Sequence, residues 1–178
     1  MRFRRDVAAD ERLKRLAGKI QALAAKDAER VREAERVADL RRRAVAELHQ
    51  ACASFVAAVN RLLPKSMVEI GPGEYSPDSF RDPGNNVFLI NFSGRVIHIE
   101  FRATDTLTST EEFHAPYTLE GAVRAFNQQM LDQVLIPEVL LFCCLEDEKR
   151  EWVTFDPRTH RATPFDQNFL ITMMEKLM

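Results

Sequence analysis

The chain has 178 residues, a formal net charge of −2 and 46% hydrophobic residues, enough for one ordinary domain plus an extension. The segment Met1–Asp6 carries three arginines rather than the apolar core of a secretory signal, and no apolar run approaches the roughly 20 residues of a membrane span. The three cysteines, Cys52, Cys143 and Cys144, lack a Cys-x-x-Cys spacing. Such an odd number of cysteines suits a reducing compartment. We therefore expect a cytoplasmic protein with no membrane segment, cofactor or metal.

Residues 6–63 predict one long helix. No glycine or proline lies between Lys19 and Leu63, where alanine, arginine, glutamate and leucine dominate, and these are good helix formers. Pro64 cannot continue a helix, so the helix is expected to end at Leu63.

An apolar row repeats along this helix in steps of three and four residues, as in a coiled coil. Its first part is formed by Leu13, Leu16, Ile20 and Leu23. A second register begins at Val31, eleven residues after Ile20, which is a stutter in the repeat. Between Ala24 and Ala44 the row is mostly alanine and includes Arg41, so this section is expected to be the most exposed. We predict a protruding helical arm over residues 1–44 and a head domain over residues 45–178.

The two parts of the chain differ in charge. Residues 1–63 carry 15 Arg and Lys against 9 Asp and Glu, whereas residues 64–178 carry 10 against 18. The basic residues of the arm are interleaved with acidic ones, and Arg41–Arg43 point in three directions on a helix. This pattern disfavours nucleic-acid binding, although a basic-arm nucleic-acid binder stays an alternative.

After Pro64, the most clearly predicted element is a hairpin. The segments Val87–Phe92 and Arg95–Phe101 flank the two-residue turn Ser93-Gly94. This register places six apolar side chains on one face, which is expected to be core: Phe88, Ile90, Phe92, Ile97, Ile99 and Phe101. A short strand is predicted over Met67–Ile70, and the intervening Gly- and Pro-rich segment is predicted to be a loop.

Beyond the hairpin the pattern predicts a polar loop at Thr104–Thr110, a helix that begins at Thr118 and ends by Pro137, and a second hairpin. The two strands of that hairpin are expected over Val139–Leu145 and Glu151–Phe155. Thr163-Pro164 then resembles the start of a closing helix. The predicted order is α-β-β-β-α-β-β-α, an α+β domain with helices packed on a mostly antiparallel sheet.

One group of residues suggests possible chemistry. Asp78 followed by Glu100 and Arg102 is similar to a metal-dependent nuclease core, in which carboxylates hold the ion. His98 lies two residues before Glu100, on the same face of the predicted strand. However, such cores use lysine where this chain has Arg102, and Asp78 falls in the predicted loop. A solvated sheet face with a local His–Glu contact explains His98 and Glu100 more simply.

The leading interpretation is a non-enzymatic interaction or adaptor module. The apolar residues Leu13, Leu16, Ile20 and Leu23 would join it to a second copy, and the head would bind a protein partner that the sequence does not identify. The alternatives are a metal-dependent nuclease using Asp78, Glu100 and Arg102 with His98 nearby, or the nucleic-acid binder.

Overall fold

The computed structural model describes residues 2–108, 115–127, 136–146 and 149–178. Two compact units are found, Met1–Leu40 and Arg41–Met178. The first unit consists of most of helix α1, whose full extent is Arg2–Leu62. No helix among the described residues is both long enough and apolar enough to cross a membrane.

The second unit is built on a seven-stranded antiparallel sheet in which each strand pairs with the next along the chain. Its strands are β1 (Val68–Gly71), β2 (Asn86–Phe92), β3 (Arg95–Thr108), β4 (Tyr117–Phe126), β5 (Glu138–Glu146), β6 (Lys149–Asp156) and β7 (Arg161–Pro164). Helix α2 (Gln167–Glu175) follows the last strand. The predicted α+β class is thus confirmed.

The hairpin of β2 and β3 has the predicted register. Ile90 pairs with Ile97, Phe88 with Ile99, and Phe92 with Arg95. Ser93 and Gly94 both have positive φ, as a two-residue hairpin turn requires. The predicted core face is buried, with only Phe92 partly exposed.

One face of the sheet carries the main core, to which the C-terminal part of α1 and helix α2 also contribute. From α1 the core takes six buried side chains: Ala44, Val45, Leu48, Cys52, Phe55 and Val56. From α2 it takes Leu170 and Met173. Trp152 on β6 anchors this packing, because its indole Nε1 donates a hydrogen bond of 2.8 Å to the Ala44 carbonyl. Burial of these apolar surfaces supplies the main driving force for folding of the unit.

The opposite face of the sheet, which we call the outer face, has a smaller apolar cluster. Its buried members are Tyr117, Phe142, Cys144 and Phe155. Cys143 and Cys144 therefore lie on opposite faces, as alternation along a strand requires. None of the three cysteines forms a disulfide, and all three are buried. Burial raises the pKa of Cys52 and of Cys143 to about 12.

The middle helix predicted from Thr118 is wrong, because that segment is strand β4. The spacing of Leu119, Ala122, Val123 and Phe126 suits a helix, but alternate residues Leu119, Val123 and Ala125 also share one strand face. Pairing with β3 on one side and β5 on the other favours the strand over the helix, because it buries that face against the core. The rest of the predicted helix, over 128–135, lies outside the described residues.

The ends of two other elements also differ from expectation. Strand β3 continues through most of the predicted Thr104–Thr110 loop, and it ends at Thr108. Thr163 and Pro164 belong to β7 rather than to the closing helix. The cap of α2 is Asp166, whose Oδ1 accepts a hydrogen bond of 2.9 Å from the Phe169 amide. The second hairpin is confirmed as β5 and β6. Of its predicted turn at 147–149, residues 147–148 lie outside the described residues, and Lys149 begins β6.

Candidate functional site

The first unit carries a row of exposed apolar side chains, which we call the arm stripe. Its members and their exposed fractions are Leu13 63%, Leu16 53%, Ile20 61% and Leu23 63%. Single exposed leucines are ordinary on a protein surface, but four such side chains at steps of three and four lie on one face of a helix. Such a row is the usual form of a helix-pairing surface.

Local ion pairs lie on the surface of this helix, but they contribute little to its stability. Lys14 bridges Asp10 at 3.0 Å, and Arg36 bridges Glu33 at 3.1 Å. Each pair of this kind stabilises a helix by only about 0.2–0.5 kcal/mol. The helix of the first unit therefore gains little from its surface charges. Burial of the arm stripe would stabilise it more than these ion pairs do.

Charged and small residues flank the arm stripe in a regular order. On one side lie Arg12, Lys19 and Lys26, all exposed and spaced by seven. On the other side lie Ala17 and Ala24, also spaced by seven. Gly18 faces away from the stripe, and a Cβ added there would meet no atom within 4 Å.

Arg41 is expected from the sequence to lie on an exposed section of the helix, and the structure corrects this. It is buried at 9% exposure within the second unit. Its Nε donates to Thr118 Oγ1 at 2.8 Å, its Nη1 to Asp82 Oδ2 at 3.0 Å, and its Nη2 to the Thr104 carbonyl. A buried guanidinium needs such partners, because an unpaired buried charge is very costly. The prediction is therefore wrong for Arg41, whereas Arg42 and Arg43, which point in other directions on the helix, are exposed as predicted.

The residues considered for metal-dependent chemistry lie in different surroundings and contact different partners. Asp78 lies in an exposed 3₁₀ turn, Pro77–Ser79. The carboxylate of Glu100 accepts from Asn85 Nδ2 at 3.0 Å through Oε1, and it pairs with Arg124 at 3.3 Å through Oε2. Arg102 instead pairs with Glu120 at 2.9 Å.

The arrangement of potential metal ligands gives no support for a metal site either. Across residues 2–108 and the three later described ranges, no group of three or more His, Cys, Asp or Glu side chains is placed to hold a metal ion. Both oxygens of Glu100 are already engaged by neighbouring donors. The outer face near Glu100 is therefore best described as a network of paired charges.

His98 lies on the outer face opposite Arg124, and its ring is tilted against Phe126 with centroids 6.5 Å apart. Its Nδ1 is buried and has no hydrogen-bond partner within the described part of the chain. Desolvation by burial lowers the pKa of His98, and Arg124 lowers it further, while Glu100 opposes both. A neutral imidazole in this position fits a structural role on the sheet.

A cavity of about 730 Å³ lies beside the Arg41 contacts. Its lining includes Arg41, Asp82, Arg102 and Glu120. These four side chains form two ion pairs with one another, so their charges are already compensated. Asp105 also lines the cavity, so its described lining has three acidic side chains against two basic ones and does not favour an anionic ligand.

Sequence reasoning missed the contacts of Arg41 because its partners lie far along the chain, at Asp82, Thr104 and Thr118. The one available signal was an arginine at a position where the heptad pattern requires an apolar residue. Such a residue is either a register break or a buried group with partners.

No protein-family model, no curated protein and no solved structure matches the chain.

Proposed function

We propose that this protein is a non-enzymatic interaction module that joins to a second copy of itself through the arm stripe and binds a protein partner with its second unit. The observation that carries the proposal is the exposure of Leu13, Leu16, Ile20 and Leu23, which lies between 53% and 63%. Full burial of one such side chain is worth about 1.5–3 kcal/mol, so a pairing surface that covers all four has a substantial driving force.

A second copy is the simplest partner for the arm stripe. An isolated helix gains most of its stability from packing an apolar face, and closed two-fold pairs are the commonest soluble assemblies. The stripe also has the heptad spacing that lets two identical helices interlock side chains.

Analytical ultracentrifugation of the full chain over a range of concentrations tests this half of the proposal. We expect a dimer or higher oligomer that dissociates on dilution. Ile20→Asp should abolish association, because it places a charge in the paired surface. Gln21→Asp is the matched control on another face of the same helix, and it should leave association unchanged. A monomeric full-length protein at every concentration would refute self-association.

Removal of residues 1–40 gives a second test. Every buried apolar residue of the described chain lies at Ala44 or later, so the second unit keeps its whole core without the first. The shortened chain should fold cooperatively and should sediment as a smaller assembly than the full chain. An unchanged oligomeric state would place the self-association surface in the second unit instead.

The outer face supports the other half of the proposal. Val87 and Leu89 lie there at 39% and 38% exposure, beside the charged pairs of Glu100 and Arg124. An apolar centre with a charged rim is the usual composition of a protein-binding surface. The same pairing of Glu100 favours this interpretation over the nuclease alternative, because a metal would have to displace both Asn85 and Arg124.

Co-purification with quantitative mass spectrometry tests the outer face. Leu89→Asp should reduce recovery of a specific partner at least tenfold. Ile171→Asp is the matched control, since Ile171 on α2 is equally exposed at 38%. Equal recovery with both variants would exclude the outer face as the binding surface. Strong Mg²⁺ binding that is lost in Glu100→Gln would instead support the nuclease alternative.

A further inference from the structure

We infer that two copies of the arm pair in parallel and in register, so that each residue of the arm stripe meets the same residue of the second copy. This inference rests on the proposed self-association and adds the orientation of the partner helix. It depends on the charged and small residues that flank the stripe, and on the identities of the stripe residues themselves.

Flanking charges distinguish the two possible orientations. In an antiparallel pair, the row that contains Arg12, Lys19 and Lys26 faces the same row of the second copy. Arg12 would then lie opposite Lys26 of the second copy, and Lys19 would lie opposite its own counterpart. All of these contacts join like charges, and like charges across an interface disfavour that arrangement.

A parallel pair avoids this repulsion. Each basic residue then faces the residue five positions further along the second helix. Arg12 would face Ala17 and Lys19 would face Ala24, both of which are small and uncharged. The long aliphatic stem of each basic side chain can lie over the alanine and cover the apolar seam, while the charge stays in water.

The stripe residues agree with a pair of helices rather than a larger bundle. With Leu13 and Ile20 at the first core position of each heptad, Leu16 and Leu23 occupy the second. Within parallel assemblies, a β-branched residue at the first position, here Ile20, combined with leucine at the second favours two strands. The next core positions in this register are Asp27 and Arg30, whose own weak contact at 3.9 Å lies within one helix. The paired section is therefore expected to end after Leu23.

Cysteine crosslinking of the full chain tests the orientation. The variants Leu16→Cys and Ile20→Cys are made separately, oxidised mildly, and analysed alone and as an equal mixture. The native thiols provide a low background because all three are buried. In a parallel pair, each variant meets its own counterpart and forms a disulfide-linked dimer by itself. Gln21→Cys, which lies outside the stripe, should give at least tenfold less dimer.

An antiparallel pair gives the opposite result, because residue 16 then lies opposite residue 20 of the second copy. Neither single variant would crosslink, and the mixture would give a mixed disulfide that mass spectrometry of the arm peptides identifies. That outcome overturns the parallel arrangement and leaves self-association intact. Oligomers that form no crosslink in any mixture would also overturn it. A chain that stays monomeric in the ultracentrifuge removes both the arrangement and the proposed function.

Discussion

Arg41 Nε lies 2.8 Å from Thr118 Oγ1, although 77 residues separate them along the chain. Thr118 is the extra residue of a bulge in β4, because Tyr117 pairs with Cys144 and Leu119 pairs with the adjacent Cys143. The bulge turns the Thr118 hydroxyl toward α1, where it accepts from the guanidinium. With Asp82 and Thr104 as further partners, one side chain joins the helix to three separate segments of the second unit.

Replacement of this arginine should be costly. Arg41→Met would take the donor away from the buried Thr118 hydroxyl and would remove the ion pair with Asp82. Loss of a buried hydrogen-bond partner costs about 1–3 kcal/mol. We expect the free energy of unfolding to fall by about 3 kcal/mol in total, measured by chemical denaturation. Arg43→Met, at an exposed position two residues further on, should change it by less than about 0.5 kcal/mol. Similar losses in both variants would show that the Arg41 contacts contribute little.

Gly121 allows an unusually close approach of β3 to β4. A Cβ added there would overlap the Glu100 carbonyl oxygen and would lie 2.8 Å from the Phe101 Cα, and both are backbone atoms that cannot move aside. Gly121→Ala should therefore destabilise the second unit by about 3 kcal/mol or more, in the range of severe overpacking. Gly18→Ala is the control, because open space surrounds Gly18 and alanine favours a helix by up to about 1 kcal/mol. Thermal unfolding that leaves Gly121→Ala as stable as the native chain would contradict this close approach of the two strands.

The two faces of β3 should respond differently to the same charge. Ile97 is fully buried on the core side, so Ile97→Asp should destabilise the unit by several kcal/mol, about 3 or more. His98 is half-buried on the outer face, where Arg124 would attract an aspartate and Glu100 would repel it, so His98→Asp should be tolerated far better than Ile97→Asp. Differential scanning calorimetry of both variants decides the matter, and equal melting temperatures would mean that the register is wrong.

Burial of His98 predicts a dependence of stability on pH. Because its pKa is lowered from the usual value of 6.5, the unfolded chain binds a proton at this residue more readily than the folded chain. Stability from the neutral imidazole is therefore present above that value and is lost as the pH falls through the lowered folded-state pKa. Relative to His98→Gln, the native chain should lose stability as the pH falls below about 7 and through the lowered folded-state pKa of His98. A difference between the two proteins that does not change with pH would contradict this.

The sequence predicts the local elements better than the pairing between distant ones. The β2–β3 register follows from a two-residue turn and an alternating pattern, both of which are local, and it is confirmed residue by residue. The segment of β4 is predicted as a helix because its apolar spacing fits both periods, and the decision rests on neighbouring strands. Gly121, in the middle of that segment, was the one local sign against a helix.

The same distinction applies to the candidate sites. The arm stripe is visible in the sequence because it is a periodic feature of a single helix, and its exposure follows from the lack of apolar residues nearby. The contacts of Arg41 depend on a bulge and on a loop residue, Asp82, which no short pattern indicates. Glu100 and Arg102 are grouped by spacing in the sequence, whereas their side chains pair with residues of β4.

The sheet of the second unit is open, and its two described edges are both short. Strand β1 has four residues and is followed by Pro72, and strand β7 has four residues and ends at Pro164. Proline offers no backbone donor, and a four-residue edge gives little template for an added strand. These edges therefore resist strand-by-strand growth into fibres. The proposed self-association would bring copies of this sheet to a high local concentration, where such short edges would keep the sheets from fusing.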